Sequence, residues 1–315
     1  MISITLHMLG GLAMPVIGAS IFLGLLFPGL AAFVRPAMEP LVVLLLTTAI
    51  LQLDWSAALT FGRRPVLALS IVAWLLVVSP VLVWAGGTAL GLAPMLLAAV
   101  VLNASSAPII SSVPFCQLLS LNAELAVFSV VIGTLLLPFT LAPVIFLLLG
   151  VDMAIDLPEF ALRTGIFIVL PFVLAALLRR AVPQDLRSAY RREVDGLTVL
   201  FLVIIAIAIM DGVSTRVLAD PVRAATIVLA AFSVSVVLHA AGGAIYWRMG
   251  PTAGLAMAVT SGSRNLILLL VVLGEAAGDT FTLYVALGQL PIYLMPTVIQ
   301  PLCRALLRRG RRRAS

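Results

Sequence analysis

The sequence predicts an all-α integral membrane protein of ten transmembrane helices in two inverted five-helix repeats, with discontinuous helices 4 and 9. Three observations predict it: a composition too apolar for water, an internal similarity at an offset of 156 residues, and two polar interruptions at corresponding positions of the two halves. With 63% hydrophobic and 10% charged residues and a mean hydropathy of +1.22, the chain cannot be a soluble globular domain. Its 315 residues accommodate ten spans of about 20 to 25 residues with short loops and little else. The formal charge of +6 would suggest nucleic acid in a soluble chain. Here the arginines cluster between and after hydrophobic runs, so they read as topology signals, and the lipid bilayer, not nucleic acid, is the expected partner.

Glycine, proline and charge punctuate spans near residues 8–33, 38–60, 65–91, 93–119, 123–150, 158–181, 193–213, 219–247, 250–276 and 278–308. The N-terminus lacks the basic region and cleavage site of a secretory signal, so the first hydrophobic run is expected to be retained as a span. With the N-terminus inside, the inner segments hold Arg63, Arg64, Arg179, Arg180, Arg187, Arg191, Arg192, Arg248 and, in the tail, Arg304, Arg308, Arg309, Arg311, Arg312 and Arg313. The outer segments hold only Arg35, Arg163, Arg216 and Arg223. An inner (plasma) membrane protein with both termini in the cytoplasm is expected from this asymmetry. Cys116 and Cys303 form no metal or redox motif and read as small buried hydrophobes.

Sliding the chain by 156 residues places Pro65-Val66 on Pro221-Val222, Ala68 on Ala224, Ile71-Val72 on Ile227-Val228, Val81-Leu82 on Val237-Leu238, and Ala85-Gly86-Gly87 on Ala241-Gly242-Gly243. The halves divide near 1–155 and 156–315 within one transporter domain. Five spans per half, an odd number, reverse the orientation of the second half, which makes the repeats inverted.

The most informative stretch is Thr260-Ser261-Gly262-Ser263-Arg264-Asn265, polar residues inside an apolar run from Pro251 to Leu273. An arginine in mid-bilayer costs about 2.5–3.5 kcal/mol on insertion scales, so Arg264 either snorkels from a helix end or occupies a site built for it in an interrupted helix. The offset places Arg264 on Pro108, inside Asn103-Ala104-Ser105-Ser106-Ala107-Pro108-Ile109-Ile110-Ser111-Ser112-Val113-Pro114. Pro108 and Pro114 each remove an intrahelical hydrogen bond, which predicts a second broken helix. Two such breaks at matching positions point to a midplane binding site, or alternatively to kinked helices that pack through small residues.

The residues resemble the bile acid:sodium symporter family. The resemblance rests on Gly62-Arg63-Arg64-Pro65 leading into the third span, Pro80 within it, Asn122 and Gly133-Thr134-Leu135 to Pro138 in the fifth, Leu238-His239 in the eighth, and Gly262 to Asn265 in the ninth. It implies a secondary carrier of organic anions, with a panel of spans 1, 2, 6 and 7, a core of spans 3, 4, 5, 8, 9 and 10, and discontinuous helices 4 and 9 crossing near the bilayer midplane. It also implies sodium ions held near the crossing, but most of the family's ligand positions are substituted. The ninth-span glutamate appears as Thr260, the glutamine four positions on as Arg264, and the third-span glutamine as Trp74. The fourth-span Ser-Asn pair appears as Ser112-Val113, and the fifth-span serine and threonine as Ala126 and Val130. Of the side-chain ligands, Ser112 survives.

The expected function is alternating-access transport of a small organic anion, with no cofactor and without reliance on sodium. The expected substrate or ion set is Ser105, Ser106, Ser112, Thr260, Ser261, Ser263, Arg264 and Asn265, with Arg264 as a fixed structural cation or as the group that meets the anion. His239, deep in a span, is a candidate for proton coupling or for a packed, hydrogen-bonded histidine. Asp54, Asp211 and Glu275 fall near span ends, and Glu124 is expected to cap the fifth span. The alternatives are a sodium-coupled symporter and, in another class, a membrane-embedded serine hydrolase using Ser261 or Ser263 with His239. The sequence has neither a G-x-S-x-G elbow nor an H-E-x-x-H pair, and no enzymatic activity is expected.

Overall fold

The computed structural model describes residues 13–53, 55–56, 61, 63–150, 157–274 and 278–314, and among them every regular element is helical. Among the described residues, six helices are long and apolar enough to cross a membrane, or seven if the bent pair Arg191–Ala208 and Val213–Ala219 is one span. The protein is therefore a multi-pass membrane protein. Three further expected spans fall short on length. The fourth and ninth are divided into halves of 12 residues or fewer, below the roughly 20 that a span requires, and the first is described only from residue 13. Asp54, Gly62 and Glu275 lie outside the described residues.

The chain forms two compact units, Met1–Leu53 with Gly165–Ala225, and Asp54–Thr164 with Thr226–Ser315. In the first unit, α1 (Ala13–Leu26), α2 (Pro28–Val34) and α3 (Met38–Gln52) pack with α11 (Arg191–Ala208). The break between the first two expected spans falls at Phe27 and not at residues 34–37, because Phe27 is non-helical (φ −122°) while Arg35-Pro36 sits in a 3-10 turn. Pro36 there lies near the start of its turn, where its missing N–H is tolerated. Gly24 lets α1 meet α11, since a Cβ on it would lie 2.9 Å from Ile207 O. Arg179 Nη2 donates to the carbonyls of Ile50, Leu51 and Leu53 at 3.1, 2.8 and 2.6 Å, closing the C-terminus of α3 with a cation, as its dipole favours.

The second unit contains α4 (Pro65–Ala73), a π-helical turn (Trp74–Val78) and α5 (Ser79–Ala89), which run on as one span of 25 residues. The π turn follows from Pro80. That residue has no N–H for the carbonyl of Leu76, its ring crowds the same carbonyl, and the helix relaxes by widening one turn upstream. Beyond it come α6 (Pro94–Ser105), α7 (Ser112–Leu118) and α8 (Ala123–Leu149). The N-cap of α8 is Asn122, whose side chain accepts from Leu125 N, and Glu124 stands in the first turn without being the cap. The rest of the unit is built from α13 (Pro221–Tyr246), α14 (Pro251–Gly262), α15 (Leu266–Leu273), α16 (Gly278–Leu287) and α17 (Gln289–Ala314). Exposed Leu147, Phe139 and Leu229 give the surface the apolar character that hydrocarbon requires.

α13 and α14 approach at backbone distance. A Cβ on Gly242 would lie 2.2 Å from Ser261 Oγ, and one on Gly262 would fall within the His239 ring, 1.7 Å from Nδ1. In the other half, a Cβ on Gly86 would meet nothing within 4 Å.

Candidate functional site

Both breaks lie in the second unit, where they cross and pair. α6 ends at Ser105 and Ser106 is extended (φ −72°, ψ 157°), since Pro108 has no N–H to continue the helix and its ring would clash with the Ala104 carbonyl. α14 ends at Gly262, Ser263 is extended (φ −105°, ψ 99°), and Asn265 caps α15 by accepting from Leu268 N at 3.2 Å. Pro108 and Arg264 form an isolated antiparallel bridge. Its two hydrogen bonds are made by the neighbours, Ile109 N to Ser263 O at 2.9 Å and Asn265 N to Ala107 O at 2.8 Å. The 108/264 pair is thus the non-hydrogen-bonded kind, where the N–H that proline lacks has no acceptor to serve. Behind it, a Cβ on Gly133 would lie 2.9 Å from Pro108 Cδ, so α8 backs directly onto the crossing.

Arg264 is 1% exposed, and it does not snorkel. Four hydrogen bonds fix its guanidinium: Nε to Ser261 O at 2.7 Å, Nη1 to Leu75 O at 3.0 Å and to Ser106 O at 2.8 Å, and Nη2 to Ser79 Oγ at 2.9 Å. Four of its five N–H donors are thereby satisfied by neutral oxygens. Those oxygens come from both breaks and from the π turn with the residue after it, so one side chain ties three segments together. Trp74 adds a second tie, its Nε1–H donating to Ser261 Oγ at 2.8 Å. Ser79 completes the set by donating to Leu75 O at 2.9 Å and Ala104 O at 3.1 Å.

The other expected site residues divide into two groups. Ser105 donates to Val101 O, Ser106 to Asn103 O and Ser112 to Ile109 O, while Thr260 bonds back to Ala256 O and Met257 O. These hydroxyls are at most 2% exposed and are engaged within their own segments. Ser263, 9% exposed, makes no side-chain hydrogen bond among the described residues, and Asn265 is half-buried. Half-buried Ile109 and Ile110 and exposed Ser111 border the first break. His239 bonds through Nδ1 to Ser235 O at 2.7 Å, and among the described residues it makes no hydrogen bond with Ser261 or Ser263. No group of three or more His, Cys, Asp or Glu suited to a metal ion occurs among the described residues.

Sequence reasoning missed Leu75 and Ser79 as partners of Arg264, and Asn103, whose Nδ2 donates to the fully buried Tyr284 hydroxyl at 2.8 Å. Pro80 was the available signal for the first two, since it forces the π turn that presents them. For Asn103–Tyr284, a pair 181 residues apart in the chain, the sequence carries no signal.

No curated protein matches the chain. Residues 39–220, more than half of it, match the model of the Sodium Bile acid symporter family, and the chain belongs to that family.

Proposed function

We propose that the protein is a secondary active carrier of a small organic anion of the bile-acid class, working by alternating access with Arg264 as its fixed cation and no need of sodium. One observation carries this reading: the guanidinium is buried and held by four oxygens drawn from both breaks and the adjoining span. A sodium ion about 4 Å from it would be repelled by about 4 kcal/mol at an effective dielectric of 20. The oxygens that would otherwise solvate a cation at this point already bind one.

Ten spans in two inverted repeats are supported by the bridge itself. Pro108 and Arg264 are counterparts at the 156-residue offset, and an axis relating two halves brings a residue against its own counterpart. The units Met1–Leu53 with Gly165–Ala225 and Asp54–Thr164 with Thr226–Ser315 correspond to a panel of spans 1, 2, 6 and 7 and a core of the other six. The fourteen inner arginines favour an inner membrane location with cytoplasmic termini.

At the site, Ser263, Asn265 and the border of the first break form the face that meets substrate, while Ser105, Ser106, Ser112, Thr260 and Ser261 hold the broken ends in place. Arg264 contributes its field from behind that face. The test is counterflow of labelled taurocholate in proteoliposomes, with choline replacing sodium. Exchange that persists at the rate seen in sodium is expected, and strict sodium dependence would establish sodium-coupled symport instead.

A further inference from the structure

Among the described residues, His239 is a buried base beside the crossing that this mechanism leaves unused. Its ring fills the space a Cβ on Gly262 would take, so it lies directly against the end of α14. The tautomer follows from one bond. Nδ1 lies 2.7 Å from the Ser235 carbonyl oxygen, which can only accept, so Nδ1 carries the proton and Nε2 is left as the acceptor. Among the described residues Nε2 makes no hydrogen bond. His239 as a whole is 7% exposed. Among the described residues, a nearly buried base thus keeps a lone pair unbonded next to the break where Ser263, also nine-tenths buried, makes no side-chain hydrogen bond.

We infer that His239 Nε2 takes up a proton from water when an organic anion enters the crossing, so that the carrier moves anion and proton together. The proposal rests on the anion-carrier reading above and names the ion coupled to it. The charge that acts on His239 is Arg264 in the α14–α15 break. α14, α15 and the α4–α5 helix contain no ionisable side chain, and α13 adds only Arg223, sixteen residues before His239, and Tyr246, seven residues after it. In the empty site a proton on Nε2 would stand beside the Arg264 charge with nothing to balance it. An anion at the crossing supplies that balance. Linkage then requires the converse, that the proton tightens anion binding by the same factor. One proton accompanies each monovalent anion, so the loaded and empty sites carry the same net charge and transport is electroneutral.

Taurocholate is a suitable probe because its sulfonate stays ionised across the useful pH range. In proteoliposomes without any other ion gradient, an inward proton gradient is expected to concentrate labelled taurocholate, by up to about 10-fold per pH unit. A change of membrane potential should leave that ratio unaltered. With the purified protein in weak buffer, taurocholate binding should be accompanied by uptake of about one proton per anion, and affinity should rise as pH falls from 8 to 5. His239→Gln should bind without proton uptake and with pH-independent affinity. Counterflow in the wild type without accumulation under a proton gradient would overturn the proposal while leaving the carrier reading intact, and absence of counterflow would end both. Retained proton uptake in His239→Gln would overturn it as well. Should that variant fail to fold, the wild-type measurements decide, because binding without proton uptake is sufficient to refute.

Discussion

Replacing Arg264 by methionine keeps a flexible unbranched stem, shorter than that of arginine, and removes every donor. In the native structure, Ser106 O and Ser261 O take their side-chain donors from this guanidinium alone, whereas Leu75 O also accepts from Ser79 Oγ. Two buried carbonyls would be left unsatisfied, at about 1–3 kcal/mol each, partly offset because the guanidinium no longer has to be desolvated. A loss of about 3 kcal/mol is expected, equivalent to a fall of roughly 4–5 °C in Tm for a chain of 315 residues. Arg264→Gln, with two amide donors, should fall in between. The assay is thermal unfolding in detergent, with the intrinsic tryptophans as reporter. A Tm for Arg264→Met equal to that of the wild type would refute the role of the guanidinium as the brace of the crossing, and would move it to the ligand-facing role.

Three further outcomes are expected. Gly242→Ala should destabilise by about 1–3 kcal/mol, because its Cβ would lie 2.2 Å from Ser261 Oγ, whereas Gly86→Ala, at the matching position of the first half, should be tolerated; comparative thermal melts check the pair. Trp74→Phe removes the Nε1–H donor to Ser261 Oγ together with part of a buried ring, and should lower stability by at least about 1 kcal/mol, measured by the same melts. Asn265→Ala and Asn122→Ala should each cost about 1 kcal/mol as lost N-caps, but only Asn265→Ala should also raise the KM for anion exchange, since only Asn265 stands at the crossing.

Much of the fold is legible in the sequence because hydrocarbon leaves few choices. A run such as Ala123–Leu149 can only satisfy its backbone groups as a helix, even with Pro138 and Pro143 inside it. The crossing is legible because Pro108 and Arg264 break the apolar pattern in register, and the structure joins those two residues. What holds the crossing together is not legible in the same way. Three of the four acceptors of Arg264 are backbone carbonyls, which leave no trace in residue identity, and Leu75 is presented by a π turn whose only sequence sign is the proline that follows. The expected division of labour among the hydroxyls was equally hidden. Ser105 and Ser263 look alike in sequence, but the hydroxyl of the first bonds back to Val101 within a completed helix, while the second stands in extended backbone where its N–H takes Val259 O and its hydroxyl makes no hydrogen bond among the described residues.

The most direct measurement is equilibrium binding of radioactive sodium to the purified protein, with and without saturating taurocholate. With Arg264 as the fixed cation of the crossing, no saturable sodium binding is predicted in either condition. Saturable binding that strengthens with taurocholate would contradict it.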